Sequence, residues 1–334
     1  MHPIRNVIDG VPRLVWGQSG ENTFAGALAA ATLPTRHRVT YRTILGVTGL
    51  AFQVRWYEGG ESRWAPRDRF RAYDRELEAA RRATGWALDV EFDPNDRLSS
   101  SMARIRPSID MGIPVLTLDP SHHTAVVFGY DEGRVVMREY ANPESSVERD
   151  PAELPRYAVF VGRRHRPLST SEGALEGLRI AIRQWQGAGE VPECKLGRAA
   201  YAQWAEDLRG AEGLDALLRR ELFTVNWLQF SLLADARSHA GPFLREVAPF
   251  FPKPIVKRLF QAAEIYDEVE ASLTACMRRK DAFFGTWSEK GYDDWTEEVR
   301  RSEAAVLHDA WAKEEEAIQV LGGLIDSIAP RQAA

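Results

Sequence analysis

The spacing of apolar residues changes character once along this chain, near residue 168, and that change limits the architectures open to it. Before it, short apolar runs are cut by glycine and proline. After it, apolar residues recur three and four apart over long stretches, the period of a helix with one buried face. With 334 residues the chain is about two domains long. The switch predicts a mixed domain over 1–167 and a helical domain over 168–330. Lysine follows a similar division, since every lysine lies at or beyond Lys195 and the preceding residues carry their positive charge on arginine.

In the first part, ENTFAGALAAA places Phe24, Leu28 and Ala31 at helical spacing behind Asn22 or Ser19 as caps. DRELEAARRAT, at 74–84, predicts a second helix ended by Gly85. A third, near 98–111, meets Pro107 and is expected to break or restart there. Four strands are predicted at 114–118, 124–130, 134–140 and 156–163, with the turn Asp131-Glu132-Gly133 joining two of them as a hairpin. Helices followed by an antiparallel meander, with no alternating strand–helix rhythm, predict an α+β domain and argue against a doubly wound sheet.

The second part predicts an all-α bundle of six or seven helices. SEGALEGLRIAIRQW sets Leu175, Leu178, Ile182 and Trp185 on one stripe behind a capping box of Ser169 and Glu172. Ala200, Trp204 and Leu208 fall four apart. In the helix after Ile255, the arc Leu259, Ala262, Tyr266, Val269 and Leu273 is the expected buried face. A long final helix is expected from about Asp294 to Ile325. The aromatic set Trp185, Tyr201, Trp204, Trp227 and Phe230 reads as bundle core, and the charge run at 313–317 as a solvated face. Arg237 and His239 fit either a polar spot in that core or an inter-domain contact.

Composition excludes several function classes. Hydrophobic residues are 44% and charged residues 27%, the balance of a globular protein. A net charge of -5 argues against a nucleic-acid binder or an anionic-membrane binder, and no nucleic-acid or membrane partner is expected. The most apolar stretches fall short of the roughly 20 residues that span a bilayer, and the N-terminus lacks the apolar core of a secretory signal, so a soluble, cytoplasmic protein is expected. Two cysteines, Cys194 and Cys276, are too few for a disulfide scaffold and fit a reducing compartment. Neither a cofactor nor a metal is expected: no phosphate-cradling loop is present, and the adjacent His122 and His123 diverge with no third ligand near.

Chemistry concentrates in three places of the first part: WGQSGENTFAGAL (16–28), PSHHTAVVFGYD (120–131) and REYANPE (138–144). A helix N-terminus offers free backbone N–H groups that stabilise an oxyanion. His123, at a strand start, would face it as general base, and His122 would point away. Asn142 would hold the imidazole tautomer, and Gln18 would donate a further oxyanion hydrogen bond. Ser19, Asn22 and Thr23 line the helix head, where simple capping is the plainer explanation.

The order glutamine, helix head, histidine, asparagine resembles that of the papain-like cysteine peptidase superfamily. Residues 1 to about 165 look most like the bacteriocin-processing double-glycine peptidase branch and the N-terminal domain of butirosin biosynthesis protein H. The matching positions are Gln18, the helix from Asn22, Gly112 to Val115, His123 to Asp131, and Asn142-Pro143. LGVTGLAFQVRW (45–56) and the helical part resemble segments of uncharacterised bacterial members.

The resemblance implies a papain-like fold, with His123, Asn142 and Gln18 catalytic and Ser19, Asn22 and His122 near the substrate. The sequence departs from the family at its nucleophile, for no cysteine precedes Cys194. Thr23 or Ser19 would have to replace a thiol that is far more nucleophilic at neutral pH. Two functions follow. One is acyl transfer or hydrolysis at an amide or thioester, on a small-molecule, peptide or carrier-protein-linked acyl substrate, with His123 as base. The other is a catalytically inactive pseudo-peptidase that binds a peptide or small metabolite. A homodimer is compatible with either.

Overall fold

The computed structural model describes residues 4–57, 74–188, 194–279 and 289–328. The chain is α+β, as its residue pattern predicts. It divides into two compact units, Met1–Thr48 with Asp68–Gly173, and Gly49–Arg67 with Ala174–Ala334. The segment beginning at Gly49, early in the chain, thus belongs with the helical unit.

The first unit is built on a seven-stranded antiparallel sheet of order β3-β8-β4-β5-β6-β7, with β1 on β5. Its strands are β1 (Arg5–Val7), β3 (Trp86–Arg97), β4 (Val115–Leu118), β5 (Thr124–Asp131), β6 (Arg134–Arg138), β7 (Val147–Arg149) and β8 (Pro155–Arg164). β5 lies at the centre and is buried along both faces, which suits its β-branched and aromatic run. Ala125, Val127 and Tyr130 join a cluster with Ile105 and Ile109 of helix α4 (Met102–Asp110). Helix α1 (Thr23–Thr32) also packs on β5. The β5–β6 hairpin closes as expected, with Glu132 and Gly133 at φ 45° and 92°, the left-handed pair of a type I′ turn. At Gly129 the ladder is irregular, and a Cβ there would lie 2.8 Å from the Asn6 carbonyl, so glycine admits β1.

Two further helices complete this unit, α2 (Tyr41–Val47) and α3 (Asp74–Thr84). Contrary to the expected break, α4 runs through Pro107 after a 3-10 turn over Leu98–Ser101. A proline forfeits one backbone donor, and burial of Ile105 and Ile109 outweighs that loss.

β3 was not expected from sequence. Its polar residues Asp89 and Glu91 are engaged by Arg104 of α4, and Arg156 of β8 reaches Glu91 and Asp96. Burial pushes the Glu91 carboxyl up, but hydrogen bonds from Ser101 and Arg104 outweigh it and hold Glu91 below the usual carboxylate range. A depressed folded-state value stabilises the protein above the ordinary glutamate range, near 4.3, and that contribution fades as pH falls through the folded value. Arg104→Met is therefore expected to lower stability by about 0.5–1 kcal/mol at pH 7, the side chain being half exposed, and to change it far less near pH 3. Urea midpoints of both proteins across that range check this.

The second unit holds α5 (Thr170–Trp185) from Ala174 onward, α6 (Gly197–Gly210), α7 (Ala216–Val247), α8 (Lys253–Arg279), the short α9 (Glu289–Asp293) and α10 (Glu297–Ile328). It also carries a two-stranded ribbon, β2 (Arg55–Tyr57) against β9 (Cys194–Leu196). Within the first unit, Ser169 and Glu172 form the expected capping box at the start of α5: the Ser169 N–H donates to Glu172 Oε2 at 2.9 Å, and the Glu172 N–H donates back to Ser169 Oγ at 3.3 Å. Trp56, Trp204, Phe230, Val269 and Leu273 form one core, with Cys276 buried beside them. Cys194 is half-buried in β9, and residues 189–193 before it lie outside the described residues.

The charge run at 313–317 is not wholly solvated. Glu314 is fully buried on the same stripe of α10 as Ala310, Ala317 and Leu321, and Arg237 of α7 meets it at 2.5 Å. Arg237 is thus a polar spot within the helical core. No described helix is long and apolar enough to cross a membrane.

Candidate functional site

The loop 11–22, α1 and the start of β5 meet within the first unit. Asn22 caps α1, its side-chain oxygen accepting the Ala25 N–H at 3.0 Å, and its own N–H donates to the Tyr41 hydroxyl at 2.9 Å. Thr23 is fully buried at the first helical position, and its Oγ accepts the Thr124 N–H at 3.1 Å. That bond ties the helix head to the residue after His123. Gly26 brings the helix close to the preceding loop, since a Cβ there would lie 2.0 Å from Tyr140 Oη and 2.6 Å from the Ser19 carbonyl.

A tight turn precedes β5. The buried Asp119 carboxylate accepts the Ser121 and His123 N–H groups on Oδ1, at 2.8 and 2.9 Å. The Asp119 N–H donates to the His123 carbonyl and the His122 N–H to the Asp119 carbonyl, both at 2.9 Å. Closing this turn places His122 at φ 63°, an uncommon conformation for a residue with a side chain, and leaves it exposed. The His123 side chain turns inward and is 20% exposed. Its Nδ1 lies 3.4 Å from Asp119 Oδ2, longer than a normal hydrogen bond and within ion-pair range. The Trp16 ring system and the imidazole meet edge to face, centroids 5.1 Å apart and planes at 87°, and Trp16 also packs on Tyr140 at 4.5 Å.

The structure places the other expected site residues as follows. Gln18 is exposed on the turn Val15–Ser19, its backbone N–H donating to the Val15 carbonyl. The Ser19 hydroxyl accepts the Val15 N–H at 3.1 Å and donates to the Arg13 carbonyl at 3.2 Å. Asn142 donates its side-chain amide to Glu139 Oε1, and Arg149 of β7 holds the same buried carboxylate at 2.5 Å. Thr23 is therefore joined to Thr124, the residue after His123, whereas Asn142 is engaged with Glu139 and Ser19 with its own loop. Sequence reading did not single out Asp119, Trp16 or Tyr140. Asp119 and Trp16 had a local signal: the Asp-Pro before the histidine pair is a turn former, and Trp16 lies two residues before Gln18.

Chemically, the arrangement offers a histidine with a carboxylate 3.4 Å from Nδ1, in a chain segment whose next residue is bonded to a helix head. Among the described residues no group of three or more His, Cys, Asp or Glu could hold a metal ion. No protein-family model and no curated protein matches the chain.

Proposed function

We propose that the first unit is a papain-like domain acting in acyl transfer, with His123 as the general base and without a covalent acyl-enzyme. The observation that carries this reading is the Thr23–Thr124 hydrogen bond, which ties the helix head to the residue after the histidine. Thr23 is fully buried and the Ser19 hydroxyl has a partner on each side, which favours direct attack by an acceptor over a hydroxyl nucleophile. A thioester suits such a site, because it needs less activation than an amide. The acceptor, an amine, an alcohol or water, gives its proton to the imidazole as it attacks the carbonyl carbon. The tetrahedral intermediate then collapses, the C–S bond breaks, and the leaving thiolate takes the proton. A small-molecule, peptide or carrier-linked acyl group, met in the cytoplasm, fits this scheme.

The competing reading, an inactive cleft that binds a peptide or metabolite, draws on Trp16, which stands against the imidazole and narrows access to it. A panel of thioesters and activated esters, assayed with wild type and His123→Ala, separates the two. On the enzyme reading the variant is expected to be slower by about a hundredfold. Equal rates would end that reading.

A further inference from the structure

We infer that Asp119, rather than Asn142, is the positioning residue that fixes the tautomer and orientation of His123. The inference starts from how Asp119 divides its two oxygens. Oδ1 is committed to the backbone N–H groups of Ser121 and His123, so the carboxylate cannot rotate without opening the turn. Oδ2 is thereby aimed at Nδ1, 3.4 Å away, and Asp119 is completely buried. A carboxylate held there favours the tautomer whose Nδ1–H points at it, the carboxylate accepting and Nδ1 donating. The neutral imidazole then carries its hydrogen on Nδ1 and its lone pair on Nε2. Trp16 also packs against the imidazole, ring planes at 87°. Asn142 has a different task, since its amide donates to Glu139.

Other charged groups act on this pair. Arg149 is kept cationic first by its hydrogen bond to Glu139 and, in smaller part, by Asp119 itself. His122 sits at the exposed tip of the turn. The use of Nε2 as a base rests on the acyl-transfer reading above, whereas the tautomer does not.

Asp119→Asn tests the assignment because it separates two roles. The asparagine oxygen can still accept both backbone N–H groups, so the turn survives. Its NH2 then faces Nδ1 as a donor and imposes the opposite tautomer, with hydrogen on Nε2. Nitrogen-15 NMR of the His123 ring in the full chain is expected to show hydrogen on Nδ1 in the wild type and on Nε2 in Asp119→Asn. An unchanged tautomer in a folded variant would overturn the inference. So would a wild-type ring protonated on Nε2, which decides the matter even if the variant does not fold. A tautomer switch together with no turnover of any thioester by the wild type would sustain the inference and overturn the acyl-transfer reading instead.

Discussion

Arg237→Ala is expected to destabilise the helical unit by about 3–5 kcal/mol, the range for removing one partner of a buried ion pair. Arg237 and Glu314 are both fully buried. The guanidinium Nε and Nη2 donate to the two oxygens of Glu314, at 2.5 and 2.8 Å, while Nη1 donates to the carbonyls of Ala51 and Gln53 at 2.9 and 3.0 Å. Burial works against the arginine's charge, but Glu314 outweighs it and the group stays firmly cationic. Alanine would strand a buried carboxylate, leave it the Tyr201 hydroxyl at 2.8 Å, and free two carbonyls of the 50–53 turn. The double variant Arg237→Met with Glu314→Leu removes both charges and is expected to recover much of the loss, because no ion is then stranded. Arg237→Lys should fall between, since an ammonium cannot match four acceptors in one plane. Urea unfolding followed by tryptophan fluorescence measures all three. Losses below about 1 kcal/mol for Arg237→Ala would show that the pair contributes no more than a surface bridge.

Trp204→Ala is expected to cost a similar amount, about 3–5 kcal/mol, by a different route. Trp204 is fully buried and lies parallel to Trp56, ring centroids 4.7 Å apart and planes 9° apart, with Phe230 edge-on at 5.4 Å. Its Nε1 donates to Asn226 Oδ1 at 2.8 Å, and Trp56 Nε1 donates to Asp207 at 2.7 Å. Truncation opens a cavity between aromatic walls and leaves the buried Asn226 amide short of a partner. Trp204→Phe keeps most of the contact and loses the N–H, so it should cost about 1–2 kcal/mol. Two stacked indoles couple optically. The near-ultraviolet circular dichroism of the wild type should lose the same component in Trp204→Ala and in Trp56→Ala. Urea midpoints within experimental scatter of wild type would contradict the packing described.

Both sites show what can be read along a chain and what cannot. The buried arc of α8 was legible: Leu259, Ala262, Tyr266, Val269 and Leu273 are all buried, and Phe260 beside them is 41% exposed. The Asn22 cap, the Asp131–Arg134 hairpin and the Ser169–Glu172 capping box were legible too, because each depends on residues two to four apart. The α5 stripe was read less well. Ala174, Leu178, Ala181 and Trp185 are buried, while Leu175 and Ile182 are half-buried, since size drew attention to the leucine and isoleucine and the tight approach uses alanine. β3 escaped although Leu88, Val90 and Phe92 alternate with Asp89, Glu91 and Asp93, because acidic residues are poor strand formers and the arginines that neutralise them come from α4 and β8. The candidate site was half legible. His123 and the helix head stood out by type and order, whereas the committed partners of Asn142 and Ser19 did not.

What the amino-acid sequence determined by itself is the kind of each well-patterned element and the change from a mixed part to a helical one, since these follow from spacing within a few residues. Tertiary structure alone decided that Glu314 is an inside charge, that the segment from Gly49 belongs with the helices, and that Thr23 meets Thr124. The physical reason is distance along the chain. Arg237 and Glu314 are 77 residues apart and Thr23 and Thr124 are 101 apart. Whether a charge or hydroxyl finds its partner is set by how whole elements dock, and neither residue carries that information in its own neighbourhood.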